Sequence, residues 1–259
     1  MEFSKSASAL GLYKYDYNCP QSELFRRFHA IIVRLFESCE IVLTHFGVEG
    51  SGYPDKLTKI HGRTYEKLLK AEFAGVTGLT LLAIPSESNS PAFDSFASAT
   101  LNYIEVNREL LACIVINESF VKLGSIEYES LLRLQLELCQ WDFGYGFSSS
   151  VEKQPDFHIL GLDNGKLSTE EYKSLSTWYA ANGDVRTALL RDVYPYNLLN
   201  ENQLNALVSD GMTLRQFAQR QPGSTLTRLT DYGLHLWQVP DTEVARLRKI
   251  LGGSSALMS

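Results

Sequence analysis

Apolar residues recur along this chain with two spacings, one typical of helices and one typical of strands. From Leu24 to Phe46 they return every three or four residues with charged residues mostly opposite, which predicts a long helix that begins at Ser22 and stops at Gly47. A Gly/Ser/Pro loop is expected over residues 47–57. Apolar spacing and capping residues predict further helices over residues 65–73, 125–141, 168–181, 213–221 and 241–251.

Alternating or continuous apolar runs, bounded by turn-forming residues, predict the strands. They are expected over residues 13–17, 79–84, 100–105, 110–116, 143–147, 157–162, 226–229 and 234–239. The last two runs flank Asp231-Tyr232-Gly233 and therefore predict a hairpin. Because these strands are joined by loops and hairpins more often than by helices, the pattern favours an α+β fold, with mainly antiparallel sheet packed against helices.

The chain has 259 residues, which suits one large domain or two small ones. We expect a single α+β domain over residues 1–253 that divides into two sub-lobes. The boundary is expected near residues 148–156, where three serines are followed by Pro155. Gly252 and Gly253 end the last helix, so residues 254–259 are expected to form a flexible tail.

Acidic residues outnumber basic ones, 30 to 24, for a net charge of −6. This balance argues against nucleic-acid binding, which depends on neutralising phosphates. Seven acids are concentrated in the middle of the chain: Glu105, Glu109, Glu118, Glu127, Glu129, Glu137 and Asp142. Such a stretch could steer a basic partner, although a solvated surface that maintains solubility would look the same. No apolar run is long enough to span a membrane and no signal peptide is evident, so we expect a cytoplasmic protein.

No motif in the sequence identifies a reaction, a cofactor or a metal site. The five histidines include no pair spaced for zinc, and the four cysteines include no C-x-x-C pair. A nucleophilic site assembled in space stays open, with Cys113 or Cys139 beside His158 or His235. The expectation is a protein that is not an enzyme, with no cofactor and no metal.

The segment 191–200, RDVYPYNLLN, is the most unusual in the chain because it has no helical or strand period. One interpretation is a buried connector, in which Asp192 caps a turn and the tyrosines reach backbone carbonyls. The other is a recognition surface, since Tyr and Arg are favoured at interface hot spots.

The C-terminal part of the chain resembles small bacterial immunity proteins, which are encoded beside secreted toxins of interbacterial competition systems, including type VI secretion. The resemblance rests on the segments 191–199, 213–217, 234–239 and 244–251, and extends to the strand at residues 143–148. It implies a cytosolic, non-enzymatic antitoxin that binds one toxin domain tightly and blocks its active site.

The resulting hypothesis is an immunity protein that binds and occludes a cognate toxin through protein–protein contacts, without nucleic acid or membrane. The alternatives are an adaptor or scaffold domain, and a hydrolase with a Cys/His site. The expected toxin contacts combine acidic steering residues with aromatic anchors. They are Glu127, Glu129, Glu137, Asp142, Tyr145, Tyr194 and Tyr196.

Overall fold

The structure of the chain is a computed structural model. It describes residues 3–18, 22–53, 56–85, 95–163, 165, 169–208 and 211–258. The helices in these ranges are α1 (Ser22–Ser38), α2 (Arg63–Lys70), α3 (Ile126–Leu136), α4 (Pro155–Leu160), α5 (Thr169–Ala180), α6 (Gly183–Ala188), α7 (Glu201–Asn205), α8 (Leu214–Arg220) and α9 (Asp241–Leu251). The strands are β1 (Ser6–Lys14), β2 (His45–Gly50), β3 (Thr58–Lys59), β4 (Val76–Ala83), β5 (Ala97–Ile104), β6 (Glu109–Asn117), β7 (Phe143–Ser150), β8 (Tyr196–Leu199), β9 (Thr225–Arg228) and β10 (His235–Gln238).

Residue contacts divide the chain into two compact units. The first unit comprises Met1–Gln140 and Ser148–Asp156, and the second comprises Trp141–Phe147 and Phe157–Ser259. The chain thus enters the second unit at Trp141, returns to the first over 148–156, and then completes the second. Residues 148–156, where the sequence predicts a boundary, fall within the first unit.

In the first unit the strands follow the order β3-β2-β4-β5-β6-β1. Every neighbouring pair is antiparallel. Helix α1 contacts β4 and β5, and it buries Phe25, Phe28 and Ile32. The apolar stripe of α1 therefore covers the sheet as the helical spacing predicts.

In the second unit the strand order is β7-β8-β10-β9, again with antiparallel pairing. Its core is built around Trp237 of β10 and Phe217 of α8, whose rings meet edge to face with centroids 6.4 Å apart. Leu247 and Leu251 of α9 complete this core. The predicted α+β class with antiparallel sheet is confirmed.

Local capping signals place helix starts correctly. The Ser125 side chain accepts a hydrogen bond from the Tyr128 N–H at the start of α3. Thr213 and Gln216 form the capping box expected at the start of α8. The expected hairpin is formed by β9 and β10. The capping box expected at residues 168–171 lies outside the part of the chain that the structure describes.

The long helix predicted from Ser22 to Phe46 is wrong beyond Ser38. Glu40 has a φ of 58°, which ends the helix, and the Ile41 N–H turns back to the Phe36 carbonyl at 2.7 Å. Residues 45–50 then pair with β4 as strand β2 rather than forming a loop after Gly47. Val42, Leu43 and Phe46 continue the helical spacing by coincidence, because periodicity over so short an apolar run does not distinguish a helix from other structure.

Three other boundaries also differ from the prediction. The strand expected over 157–162 is helix α4, which begins at Pro155, a residue well suited to the first turn of a helix. Helix α3 ends at Leu136 rather than at Trp141. Of the half-buried strand expected over 13–17, only Tyr13 and Lys14 lie in a strand, at the end of β1, and residues 15–17 lie beyond it; β1 itself is buried from Ala7 to Tyr13 on both faces.

The expected flexible tail has contacts with the second unit. The Leu190 N–H donates to the Ala256 carbonyl at 2.8 Å, and the Met258 N–H donates to the Leu190 carbonyl at 2.9 Å. Ala256 is buried. Sequence composition suggested a mobile end here, but these backbone pairs hold residues 256–258 beside Leu190.

Candidate functional site

The predicted acidic contacts lie at helix ends or in loops. Glu127 and Glu129 occupy the first turn of α3 in the first unit, and Glu137 follows its last turn. Glu127 and Glu137 are exposed and Glu129 is half-buried. A hydrogen bond with the Ser125 side chain lowers the pKa of Glu127, and its own backbone N–H lowers it further, so this carboxylate stays ionised. Asp142 is half-buried in the second unit.

The three predicted tyrosine contacts are not at the surface. Tyr145, Tyr194 and Tyr196 are all buried. Tyr145 and Tyr194 stack with ring centroids 4.3 Å apart and an interplanar angle of 12°. Their side chains therefore lie in the interior of the second unit. A partner protein contacts only the surface, so these side chains are not available to it. Sequence reasoning placed them outside because Tyr is common at interfaces, and the sequence alone does not reveal which tyrosines are covered.

Polar groups hold the buried tyrosines in place. The Arg191 guanidinium donates from Nη1 to the Tyr145 hydroxyl, and the Tyr194 hydroxyl lies 2.9 Å from Nε2 of His158. Burial raises the pKa of Tyr194 well above its ordinary value, so its phenol is neutral. Asn197 completes the arrangement, accepting from the Tyr194 N–H at 2.9 Å and donating to the Trp237 carbonyl at 3.2 Å.

The segment 191–200 is thus a buried connector rather than a recognition surface. Asp192 accepts from the Val193 N–H at 2.7 Å, as a turn cap would, and also from Nε of Arg248 at 2.5 Å. The hydroxyl of Tyr194 contacts His158 instead of the expected backbone carbonyl. Specific hydrogen bonds replace the regular pairing that this sequence lacks.

Helix α5, above this interior, presents a different pair of tyrosines to solvent. Leu175 and Trp178 are buried, whereas Tyr172 is 51% exposed and Tyr179 is 69% exposed. Tyr172 and Tyr179 are seven residues apart, so they lie on one face of the helix. Leu162, also exposed, follows Gly161, where an added Cβ would lie 3.7 Å from the Tyr179 ring. We call these three residues, Tyr172, Tyr179 and Leu162, the α5 stripe.

The end of α5 that carries Tyr179 is fixed by a buried arginine from α6. Arg186 donates from Nε to the Trp178 carbonyl and from Nη2 to the Tyr179 carbonyl, both at 3.0 Å. Its guanidinium also lies 5.2 Å from the centre of the Trp178 ring, and the guanidinium of Arg191 lies at the same distance from that ring. The buried face of the helix that carries Tyr172 and Tyr179 is therefore stabilised by cation–π contacts of Arg186 and Arg191 with Trp178.

Sequence reasoning missed the α5 stripe. The signal was present, because Tyr172 and Tyr179 have helical i, i+7 spacing while Leu175 and Trp178 mark the core-facing side. The pattern of residues 168–181 predicts the helix but does not by itself tell which of its aromatic residues face solvent.

Three of the four cysteines lie within the described ranges. Cys39, Cys113 and Cys139 are present as thiols, and Cys113 is fully covered in β6. Burial raises the pKa of Cys113 well above its ordinary value and Asp156 raises it further, which disfavours the nucleophilic thiolate. Across the residues the structure describes, no group of three or more His, Cys, Asp or Glu side chains is arranged to hold a metal ion. Nor does any described helix combine the length and apolarity needed to cross a membrane.

The chain is an α+β protein. In its second unit, helix α5 exposes two tyrosines on one face and packs its other face against buried arginines and aromatic rings. A solved structure with a similar fold is the "Pseudomonas aeruginosa T6SS protein PA0821". The two share 12% sequence identity at a TM-score of 0.63, over 97% of this chain and 77% of that one. At this identity the likeness shows the fold alone. No protein-family model matches the sequence, and no curated protein matches it.

Proposed function

We propose that this chain is an immunity protein of a type VI secretion or related system, which binds a cognate toxin domain in the cytoplasm and occludes it. The fold likeness to a T6SS protein and the resemblance of the C-terminal segments to immunity proteins both support this proposal. In this role the chain performs no chemistry and needs no cofactor or metal.

The α5 stripe is the observation that carries the proposal. Exposed tyrosines supply a large contact area at little conformational-entropy cost and dominate many interfaces. Here the end of α5 that carries Tyr179 is held in place, because Arg186 binds the carbonyls of Trp178 and Tyr179. A rigid aromatic surface suits a protein whose function is tight binding, since ordering costs on association are small.

The test is co-expression with the product of the adjacent gene and purification through a tag on this chain. The proposal predicts a 1:1 complex, and rescue of growth when the neighbouring product alone is lethal. Tyr172→Ala/Tyr179→Ala should weaken the complex by about 30-fold or more, mainly through faster dissociation. Tyr232→Ala is the matched control, because Tyr232 is an exposed tyrosine of the same unit outside the stripe.

Three results would contradict the proposal in different ways. Absence of both complex and toxicity would remove the immunity function. A complex with a non-toxic neighbour would favour the adaptor alternative. Equal weakening by the stripe variant and by Tyr232→Ala would remove the α5 stripe as the contact surface.

A further inference from the structure

A small cleft opens in the first unit between the sheet and the chain that follows β7. Residues in or just before β1, β5 and β6 form one side, and Val151, Gln154 and Asp156 form the other. Its volume is about 30 Å³, which is room for about two water molecules. A cofactor or a drug-sized ligand needs roughly 300–1,000 Å³, so this cleft can enclose only one small chemical group.

One wall of the cleft is apolar. Phe96 lines it, and the Phe96 ring stacks on Phe3 with centroids 5.0 Å apart and on Phe120 with centroids 5.3 Å apart. Ala7 and Val115 also line the cleft. Because two neighbouring rings support Phe96, this wall offers a fixed surface to a methylene chain, which gains free energy by leaving water and needs no hydrogen-bond partner.

Polar side chains make up much of the remaining lining. Within the part of the chain that the structure describes, Ser95, Ser98 and Gln154 form no side-chain hydrogen bond. Asn117 is already engaged, since it accepts from the Ser4 N–H at 3.1 Å and donates to the Ser4 carbonyl at 2.7 Å. Asn117 therefore supports the wall, whereas the two serine hydroxyls and the Gln154 amide oxygen can accept hydrogen bonds from a ligand.

Asp156 gives the cleft a negative charge. Among the described residues it is the only charged side chain in the lining. Gln154, two residues before it, has a φ of 49°, a left-handed conformation that is unfavourable for a residue with a Cβ. Strain of this kind is concentrated at binding and catalytic sites. Here it belongs to a residue whose amide lines the cleft opposite the sheet.

We infer that this cleft binds an alkylammonium group, which either a small free amine or a lysine side chain can supply. An ammonium is compact and carries donors but no acceptor, which matches Asp156, the two serine hydroxyls and the Gln154 amide oxygen. The methylene stem of such a group would lie on the Phe96 wall, as the stems of lysine side chains commonly do on apolar surfaces. The site lies in the first unit and does not depend on the proposed function.

The test is an NMR titration of the full chain with n-butylammonium chloride at neutral pH. The backbone amide signal of Ser98 and the side-chain amide signals of Gln154 should shift, with a dissociation constant on the order of 1–10 mM. Two matched ligands should each bind about tenfold more weakly or worse. The first is 1-butanol, which has the same stem without the charge, and the second is n-butylguanidinium, whose planar head group is larger.

Variants of the chain test the role of each group. Asp156→Asn keeps the shape of the side chain and removes its charge, so it should weaken n-butylammonium binding about tenfold. The matched control is Glu152→Gln, which removes an exposed charge from the same segment and should change the affinity less than about twofold. Gln154→Gly should weaken binding about threefold without lowering the melting temperature, because glycine adopts the positive φ without strain. Loss of folding could not explain that combination.

A lysine residue blocked at both ends, N-acetyl-lysine methylamide, distinguishes the two sources of the ammonium. Tighter binding than that of n-butylammonium would assign the site to a lysine side chain of a protein, and weaker binding to a free amine; either result upholds the inference. The absence of saturable shifts up to about 100 mM would overturn it and leave a cleft that holds water only. Equal weakening by Asp156→Asn and Glu152→Gln would also overturn it, because overall charge would then account for binding. The titration uses this chain alone, so its result stands whether or not co-expression yields a complex.

Discussion

Arg186 closes the end of helix α5 by donating from Nε to the carbonyl oxygen of Trp178 at 3.0 Å while its guanidinium lies over the Trp178 ring. One side chain thus satisfies a terminal carbonyl and packs on the aromatic residue that anchors the helix. The last carbonyls of a helix have no partners within it, and here they find one in the next helix. The exposed Tyr179 sits directly after this anchor, so packing inside the unit sets the geometry of its surface.

Replacing Arg186 with Ala should destabilise the protein by about 2–4 kcal/mol, because the carbonyls of Trp178 and Tyr179 lose a charged donor and the Trp178 ring loses one cation–π contact. Arg186→Lys keeps the charge but not the fork of donors, so it should recover only part of the loss. Urea unfolding followed by tryptophan fluorescence measures both. A change below about 0.5 kcal/mol in the Ala variant, the range of an ordinary surface substitution, would show that Arg186 does not anchor α5.

Deleting residues 254–259 should lower the free energy of unfolding by about 1–3 kcal/mol. The deletion removes both backbone hydrogen bonds to Leu190. It also exposes the surface against which the buried Ala256 packs. Deletion of Ser259 alone is the control and should have little effect. Thermal unfolding compares the two, and equal stability would support the expectation of a flexible tail.

Stability should fall as the pH drops below about 6.5, with a contribution from His29. Burial lowers the pKa of His29 from its ordinary value of 6.5, and its Nε2 lies 2.7 Å from the Tyr65 hydroxyl. The unfolded chain therefore binds a proton at this site more readily than the folded chain, so acid favours unfolding. His45, whose pKa is lowered by burial and by Lys59, acts in the same direction.

His29→Gln isolates that contribution, since Gln retains a group that can hydrogen-bond to Tyr65 and does not titrate. Denaturant unfolding at several pH values between 5 and 8 should show a shallower decline for the variant than for the parent. Parallel curves would mean that His29 does not contribute to the acid sensitivity.

Cys113 should resist thiol reagents in the folded protein and react only on unfolding. Its side chain is covered, and burial followed by the effect of Asp156 raises its pKa. Labelling with a maleimide, followed by peptide mass spectrometry, reports each cysteine separately, and the half-buried Cys39 provides the comparison within the same chain. Rapid labelling of Cys113 under native conditions would revive the Cys/His hydrolase alternative.

Much of the fold could be predicted from the sequence, because strands and helix caps are determined by residues close together in the chain. The apolar runs of β4 and β6 and the alternating pattern of β5 are bounded by turn residues, so their identity as strands is evident. The capping box at Thr213 and the helix N-cap at Ser125 depend only on residues within one helical turn, and both are found as predicted. In contrast, the spacing at residues 41–46 fits a helix and a strand equally well. Residues 41–44 belong to neither, and pairing with β4, a contact distant in sequence, makes residues 45–50 a strand.

Burial was the property that the sequence by itself did not determine. The chain determined its α+β class, its acidic balance and its main helix caps, because these follow from composition and near-neighbour chemistry. Only the tertiary structure decided that Tyr145 and Tyr194 lie inside while Tyr172 and Tyr179 lie outside. Such placements depend on which distant segments cover a side chain, and no local pattern of residues records that.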